Sequence, residues 1–182
     1  MKILFLGYKD HETQLIDFLK QRGHEVTWSD SKEISLTNYD LVISFGYRYI
    51  INSQKIQNIQ RPIVNLHISY LPFNRGAHPN FWSHYEDTPC GVSIHEIDEG
   101  IDTGKIIYRK KIELEENESL QGSYAILLNS IESLFKENIE EIESYTYKTI
   151  QSDEIGTYHK ASDLPKWVKW SLTIKEVKNF EK

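Results

Sequence analysis

The sequence predicts an α/β fold of Rossmann type, a mostly parallel, twisted sheet flanked by helices. Three observations predict it. Apolar runs of strand length recur early in the chain, at Ile3–Gly7 (ILFLG), Asp40–Phe45 (DLVISF) and Ile63–Leu66 (IVNL). Their apolar residues stand at successive positions, the pattern of strands covered on both faces. A compact helical face (Leu15, Ile16, Phe18, Leu19) follows the first run and is stopped by Gly23, so strand and helix alternate as in parallel crossovers.

The first strand ends in Gly7, and its helix is expected over His11–Arg22. A second strand follows at Glu25–Trp28. The link from Ser29 to Tyr39 is short and polar, so this crossover is expected to lack a helix. After Asp40–Phe45, Asn52–Asn58 reads as a short helix, and Pro62 restarts the chain into Ile63–Leu66. Beyond Pro72 a loop of Gly, Pro and Asn leads to a helix around Asn80–Tyr85. Gly91–Ile97 (GVSIHEI) is a strand, and Ile106–Leu114 (IIYRKKIEL) alternates as its antiparallel neighbour. From Leu120 through Leu127, Ile131, Leu134 and Phe135 to Ile142, apolar residues recur at helical spacing. They predict one long amphipathic helix from about Ser119 to Glu143, with Glu132, Glu137, Glu140 and Glu141 on a solvated face. Residues 148–182 are too few for a separate domain. They are expected to pack as a C-terminal extension on a single domain formed by residues 1–147.

Of 182 residues, 39% are hydrophobic and 26% charged, an ordinary globular mix. No apolar run reaches the ~18 residues of a membrane-spanning helix. The opening MKILFLGYKDH reads as a buried strand rather than a leader, so no membrane association is expected. A formal charge of −6 argues against a protein that wraps a nucleic acid, while leaving room for a local basic pocket around Arg48, Arg75 or Lys105. Cys90 is the single cysteine. No intrachain disulfide or thiolate metal cage is therefore expected, and a cytoplasmic setting is favoured. His78, His84 and His95 lack the spacing of metal ligands, so no metal is expected. Gly7-Tyr8-Lys9-Asp10 departs from the glycine fingerprint of dinucleotide-binding strands, and no P-loop occurs.

The chemistry is concentrated between Val64 and Ile107. Asn65 and His67 stand two positions apart at the end of an apolar strand, and Asp102 lies in a glycine-flanked loop, DEGIDTG. An amide, an imidazole and a carboxylate converging from two strand ends can stabilise an oxyanion and move a proton. Singly, each of these features is more often a cap or a turn. Together and in order, Asn-x-His-x-Ser-x-Leu-Pro at 65–72, Arg-Gly at 75–76, Gly-Val-Ser-Ile at 91–94 and Asp-x-Gly-Ile-Asp-Thr-Gly at 98–104 resemble the core of the N10-formyltetrahydrofolate-dependent formyltransferases.

The resemblance implies a Rossmann-like formyltransferase fold and an enzyme that uses N10-formyltetrahydrofolate as co-substrate. It implies that Asn65, His67 and Asp102 are catalytic. Asn65 and His67 would donate to the developing oxyanion, and Asp102 would raise the His67 pKa by favouring the imidazolium. Ser69, Tyr70, Leu71 and Pro72 correspond to a loop that touches the folate. Tyr47 and Tyr49 would line the pterin pocket, and the chain around Ile97 and Asp98 would offer backbone groups to the pterin edge. Arg75, His78, Asn80 and Trp82 fall on the acceptor side.

RGAHPNFW and GTYHKASDLP are similar to segments of the nucleotide-sugar N-formyltransferases, so the expected acceptor is the amine of a nucleotide-linked amino sugar. Tyr158, His159, Trp167 and Trp170 are candidates to stack on a base or sugar, and Lys166 and Lys169 to meet a pyrophosphate. The expected partners are thus small molecules, and a homodimer is left open. The alternatives are a formyltetrahydrofolate hydrolase, a formyltransferase of the methionyl-tRNA or glycinamide-ribonucleotide type, and a non-catalytic folate or nucleotide-sugar binder. Retention of all three catalytic groups argues against the last.

Overall fold

Strand β1 (Lys2–Gly7) lies inside the sheet, and its sequence explains why. Ile3 and Phe5 point to one face, Leu4 and Leu6 to the other, and all four are buried. A computed structural model describes residues 1–180. Glu181 and Lys182, the end of the tail expected to pack on the domain, lie outside the described residues. β1 is followed by α1 (Leu15–Gln21), β2 (Glu25–Ser29), β3 (Leu41–Phe45), α2 (Ser53–Gln57) and β4 (Val64–His67). Next come β5 (Arg75–Gly76), α3 (Pro79–Tyr85), β6 (Gly91–Glu96), β7 (Ile106–Lys111), α4 (Leu120–Glu137) and α5 (Ile139–Ser144). The tail supplies β8 (Tyr158–His159) and α6 (Ile174–Lys178).

The six-stranded sheet runs β2-β1-β3-β4-β6-β7. The first four strands are mutually parallel, and β6 and β7 are antiparallel to their neighbours. This is the expected mostly parallel α/β sheet, without a helix between β2 and β3. One face packs Ile3, Phe5, Ile43, Phe45, Val64 and Leu66 against Leu15 and Leu19 of α1 and Leu127, Ile131 and Phe135 of α4. The other face is a smaller cluster of Leu4, Leu6, Leu36, Val42, Ile51 and Ile63. Cover on both sides is why these strands read as continuous apolar runs.

The structure corrects three local expectations. The long helix divides at Asn138, whose side-chain amide donates back to the Leu134 carbonyl at 2.8 Å. That bond competes with helix continuation, as local Asn bonds do. Glu132 does not face solvent. It is 5% exposed and accepts from the Thr13 hydroxyl at 2.5 Å and the Gln14 N–H at 3.2 Å. The helix expected from His11 starts at Leu15, because Lys9–Thr13 form a turn on the Lys9 carbonyl and Thr13 is held by Glu132. The β5–β8 pair, a second small sheet, has no apolar signature in the sequence.

The carboxyl ends of β1, β3 and β4 open into one crevice, the usual ligand position in open α/β sheets. Gly7 permits this geometry. Its φ is +107°, and a Cβ there would lie 2.1 Å from the Phe45 carbonyl oxygen. The chain then turns so that the Tyr8 N–H donates to Phe45 at 2.8 Å and the Tyr8 ring meets Phe45 edge-on.

Candidate active site

On β4 the alternation of a strand sends Val64 and Leu66 into the core and Asn65 and His67 to the opposite face. β6 pairs with β4 so that His95 stands directly opposite Asn65. The His95 Nδ1 is 2.7 Å from the Glu96 carbonyl and donates there in the neutral tautomer. Its Nε2 then accepts from the Asn65 amide at 2.9 Å. One amide proton of Asn65 is thereby spent on orientation, and the other remains for a ligand.

Asp102 reaches the same place from the loop after β6. Its φ of 52° is left-handed, a conformation that Asp tolerates better than most residues. Its carboxylate lies 3.5 Å from His67 Nε2 and 3.5 Å from His95 Nε2, and it accepts the Gly76 N–H at 2.8 Å. The three expected catalytic residues therefore share one site.

The electrostatics differ from the expectation for His67. The ring is buried, and burial lowers its pKa by more than Asp102 raises it; His95 lowers it further. His67 is therefore neutral at rest, and its Nε2 is buried without a hydrogen-bond partner. Burial pushes the Asp102 carboxyl up, but His67, His95 and the Gly76 amide outweigh it and hold the group well below the usual carboxylate range. The Gly76 N–H donates to the Asp102 carboxylate and favours its ionised form whatever the charge on His67.

A cavity of about 1190 Å³ surrounds these groups. Its lining includes Tyr47–Ile51 from the β3 loop with Ile97, Asp98, Gly100 and Ile101. Tyr47 and Tyr49 meet edge to face there at 5.6 Å. Tyr8, His78, Gln121, Tyr124 and Trp170 also line it. The Tyr8 and Tyr124 hydroxyls hydrogen-bond to each other, and burial followed by that bond pushes the Tyr124 phenol up. His78 and Trp170 face each other at 5.7 Å and 38°. Arg48 is the only lysine or arginine among the described lining residues.

The remaining expected residues divide. Tyr47, Tyr49, Ile97, Asp98, His78 and Asn80 line the cavity. The Asp98 carboxylate is engaged by Gly100 at 3.0 Å and Thr103 at 2.6 Å, so it closes its own loop. Asn80 is bonded to the Leu120 carbonyl and to Ser123, joining α3 to α4. Ser69 and Tyr70 do not line the cavity. Ser69 is buried, with its hydroxyl on the Phe73 carbonyl, and Tyr70 lies under Arg109. Leu71, Pro72, Arg75 and Lys105 line a separate depression of about 500 Å³ that meets Asp102 from its other side.

Trp82 is buried and stacks on His159 at 3.9 Å, and Trp167 stacks on Phe180, so both pack rather than face the cavity. Of the four tail aromatics only Trp170 lines it, and Lys166 and Lys169 do not. Tyr8, Gln121 and Tyr124 were not singled out from sequence as site residues. His95, in the strand before the Asp102 loop, reads from sequence as a residue facing the pocket, and it does line the cavity; its bond to Asn65 was not anticipated.

The chain is similar to known proteins over most of its length. The formyl transferase family model matches residues 24–137. The crystal structure of the formyltransferase PseJ from Anoxybacillus kamchatkensis, in complex with UDP-4,6-dideoxy-4-formamido-L-AltNAc and tetrahydrofolate, is 39% identical. It covers 97% of this chain and 97% of its own, with a TM-score of 0.88. A dTDP-4-amino-4,6-dideoxyglucose formyltransferase of Mycobacterium bovis is 34% identical over 113 residues, 61% of this chain and 47% of that protein. A methionyl-tRNA formyltransferase of Fusobacterium nucleatum is 26% identical over 99% of this chain and 72% of its own. The chain thus spans about half the length of the first of these curated relatives.

Proposed function

The chain belongs to the formyl transferase family, and from that premise we propose that it moves the formyl group of N10-formyltetrahydrofolate to the amine of a nucleotide-linked amino sugar. The observation that carries this reading is the cavity that brings Asn65, His67 and Asp102 together with two unlike sets of lining residues. We assign the folate end to Tyr47–Ile51, whose flat aromatic and aliphatic surface suits a pterin. We assign the acceptor end to Tyr8, His78, Tyr124 and Trp170, whose hydroxyls and open aromatic face suit a sugar and a base. The likeness to PseJ supports the same acceptor class.

In this reading the neutral amine attacks the formyl carbon directly. As the carbonyl oxygen becomes negative, the free amide proton of Asn65 donates to it. His67, neutral at rest, takes the proton released by the attacking nitrogen, and the ionised Asp102 beside it stabilises the imidazolium so formed. Collapse breaks the C–N10 bond, N10 receives the proton, and the N-formylated acceptor and tetrahydrofolate leave. The depressed His67 pKa makes it a base before it is an acid, the reverse of the order that an imidazolium at rest would give. A cytoplasmic setting belongs to this reading, with Cys90 unpaired. Among the described residues no helix is long and apolar enough to cross a membrane.

The test is incubation with N10-formyltetrahydrofolate and a panel of nucleotide-linked amino sugars, following tetrahydrofolate and product mass. The expected product is heavier than its acceptor by one formyl group. Formate release without acceptor modification would identify a hydrolase and overturn the reading. Sedimentation velocity on the same sample tells monomer from homodimer.

A further inference from the structure

Thr157 is absent from the cavity wall, yet it contacts the segment that holds the reactive groups. We infer that Thr157–His159 is a strap that positions the His67–Asp102 pair, with Thr157 as a positioning residue. The inference rests on the proposed reaction for its kinetic readout, but its geometry is independent of it.

The argument runs through Asn74–Ala77. Asn74 is fully buried, with a left-handed φ of 53° that Asn tolerates, and its buried polar groups need partners. Those partners are side chains. The Asn74 N–H donates to Thr157 Oγ1 at 2.8 Å, the Thr157 hydroxyl donates to Asn74 Oδ1 at 3.1 Å, and Asn74 Nδ2 donates to Thr88 Oγ1 at 2.7 Å. The strap then pairs with the next residues. Arg75 N–H donates to the Thr157 carbonyl at 3.0 Å and Ala77 N–H to the His159 carbonyl at 2.9 Å. Arg75 and Ala77 turn their N–H groups to the strap, and Gly76 between them, with a left-handed φ of +88°, donates its N–H to Asp102 at 2.8 Å. Gly76 has no room for a side chain, since a Cβ would lie 2.3 Å from the His159 carbonyl. β8 is the only strand that β5 pairs with among the described residues.

The strap is itself anchored at both ends. The His159 ring stacks on Trp82 and its Nε2 is 3.2 Å from the Glu86 carboxylate. At the other end Gly156 lies against the Pro72 carbonyl, where a Cβ would come within 2.1 Å. Nearby, Glu154 accepts from Arg109 at 2.7 Å. Asn74 also favours the protonated His67 ring through its backbone, so the clamped segment meets both members of the pair. Because the tail continues to Ala161 and Trp170 on the acceptor end of the cavity, one segment shapes the acceptor end and aligns the catalytic carboxylate.

The experiment compares Thr157→Val, Thr157→Ser and wild type. Valine keeps the shape and removes the hydroxyl, while serine restores it. The expected result is a kcat about 10- to 100-fold lower for Thr157→Val, the scale of a small misplacement of reacting groups. KM for both substrates should change less than about threefold, and Thr157→Ser should recover most of the loss. Imidazole titration by NMR reads His67 without turnover, in the presence of its charged and titratable neighbours His95 and Asp102. Its midpoint should move in Thr157→Val and return in Thr157→Ser. Unchanged kcat and an unchanged His67 midpoint in folded Thr157→Val would overturn the strap. If Thr157→Val does not fold, Glu86→Gln, which weakens the His159 anchor from outside, takes its place, and an unaltered kcat there counts against the strap equally. A wild type that turns over no acceptor would fail the proposed function, and the NMR titration would still decide the strap.

Discussion

The end of β4 and the strap at β8 hold Asp102 from opposite directions, and they do so with different parts of the chain. β4 acts through side chains: the imidazole of His67 is 3.5 Å from the carboxylate, and Asn65 is set by His95. The strap acts through backbone carbonyls and one hydroxyl: Thr157 and His159 accept from the Arg75 and Ala77 N–H groups, Thr157 Oγ1 meets Asn74, and the Gly76 N–H faces Asp102. Side-chain chemistry needs particular residue types, whereas backbone pairing accepts many. A catalytic group can therefore be half specified by a recognisable motif and half by a segment with no motif.

The strongest way to break this comparison is His67→Asn. It removes the base and should lower kcat by about 10²- to 10⁴-fold, while folate affinity measured by fluorescence or calorimetry stays within a few-fold of wild type. Equal loss of turnover and folate affinity would place His67 in binding rather than catalysis. The Thr157→Val effect on kcat should be smaller, because the strap only aligns what β4 supplies.

The pH profile sharpens the β4 side. Burial lowers the His67 pKa below its ordinary 6.5, so the ring keeps its base form below that pH. The acid limb of kcat should accordingly have its midpoint under 6.5, falling about tenfold per pH unit beneath it. A midpoint above 6.5 would mean that Asp102 outweighs burial. Stability has the same sign. The unfolded chain takes up a proton near 6.5 that the buried ring refuses, so the His67 contribution is complete above 6.5 and is lost as pH falls from there toward its folded pKa. Asp102, ionised in the fold below its ordinary 3.8, adds to the loss at lower pH, and thermal unfolding across pH 3–8 reads both.

The smallest expected effect belongs to the tail's side-chain contribution. Trp170 is 46% exposed and lines the cavity, 5.7 Å from His78. Removing a stacking face of this kind costs about 0.5–1.5 kcal/mol. Trp170→Ala should thus raise KM for the nucleotide sugar about three- to tenfold and leave KM for the folate unchanged. A change in both would show that Trp170 shapes the whole cavity.

Much of this was legible in the chain. The sheet was, because strands covered on both faces have to be largely apolar, as Ile3–Leu6 and Leu41–Ile43 are. Asn65, His67 and Asp102 stood out because their types and order are unusual together. What was not legible involves partners distant in sequence. Glu132 reads as a surface residue on a helix, and only the approach of Thr13 and Gln14 makes it a buried acceptor. Asn138 fits the helical spacing of its neighbours, and its bond to Leu134 divides the helix. The resemblance placed Ser69 beside the folate, but the turn that follows directs its hydroxyl to Phe73.

The sequence by itself determined the sheet and the family and singled out Asn65, His67 and Asp102 as candidates, because hydrophobic pattern and functional side chains are written directly in residue types. Only the tertiary structure decided the direction of the His67 pKa shift, the orientation of Asn65 and the holding of Asp102 by Gly76. Each of these depends on burial or on a hydrogen bond across 26 to 30 positions of chain, and desolvation and backbone pairing are properties of the assembled neighbourhood rather than of any one residue.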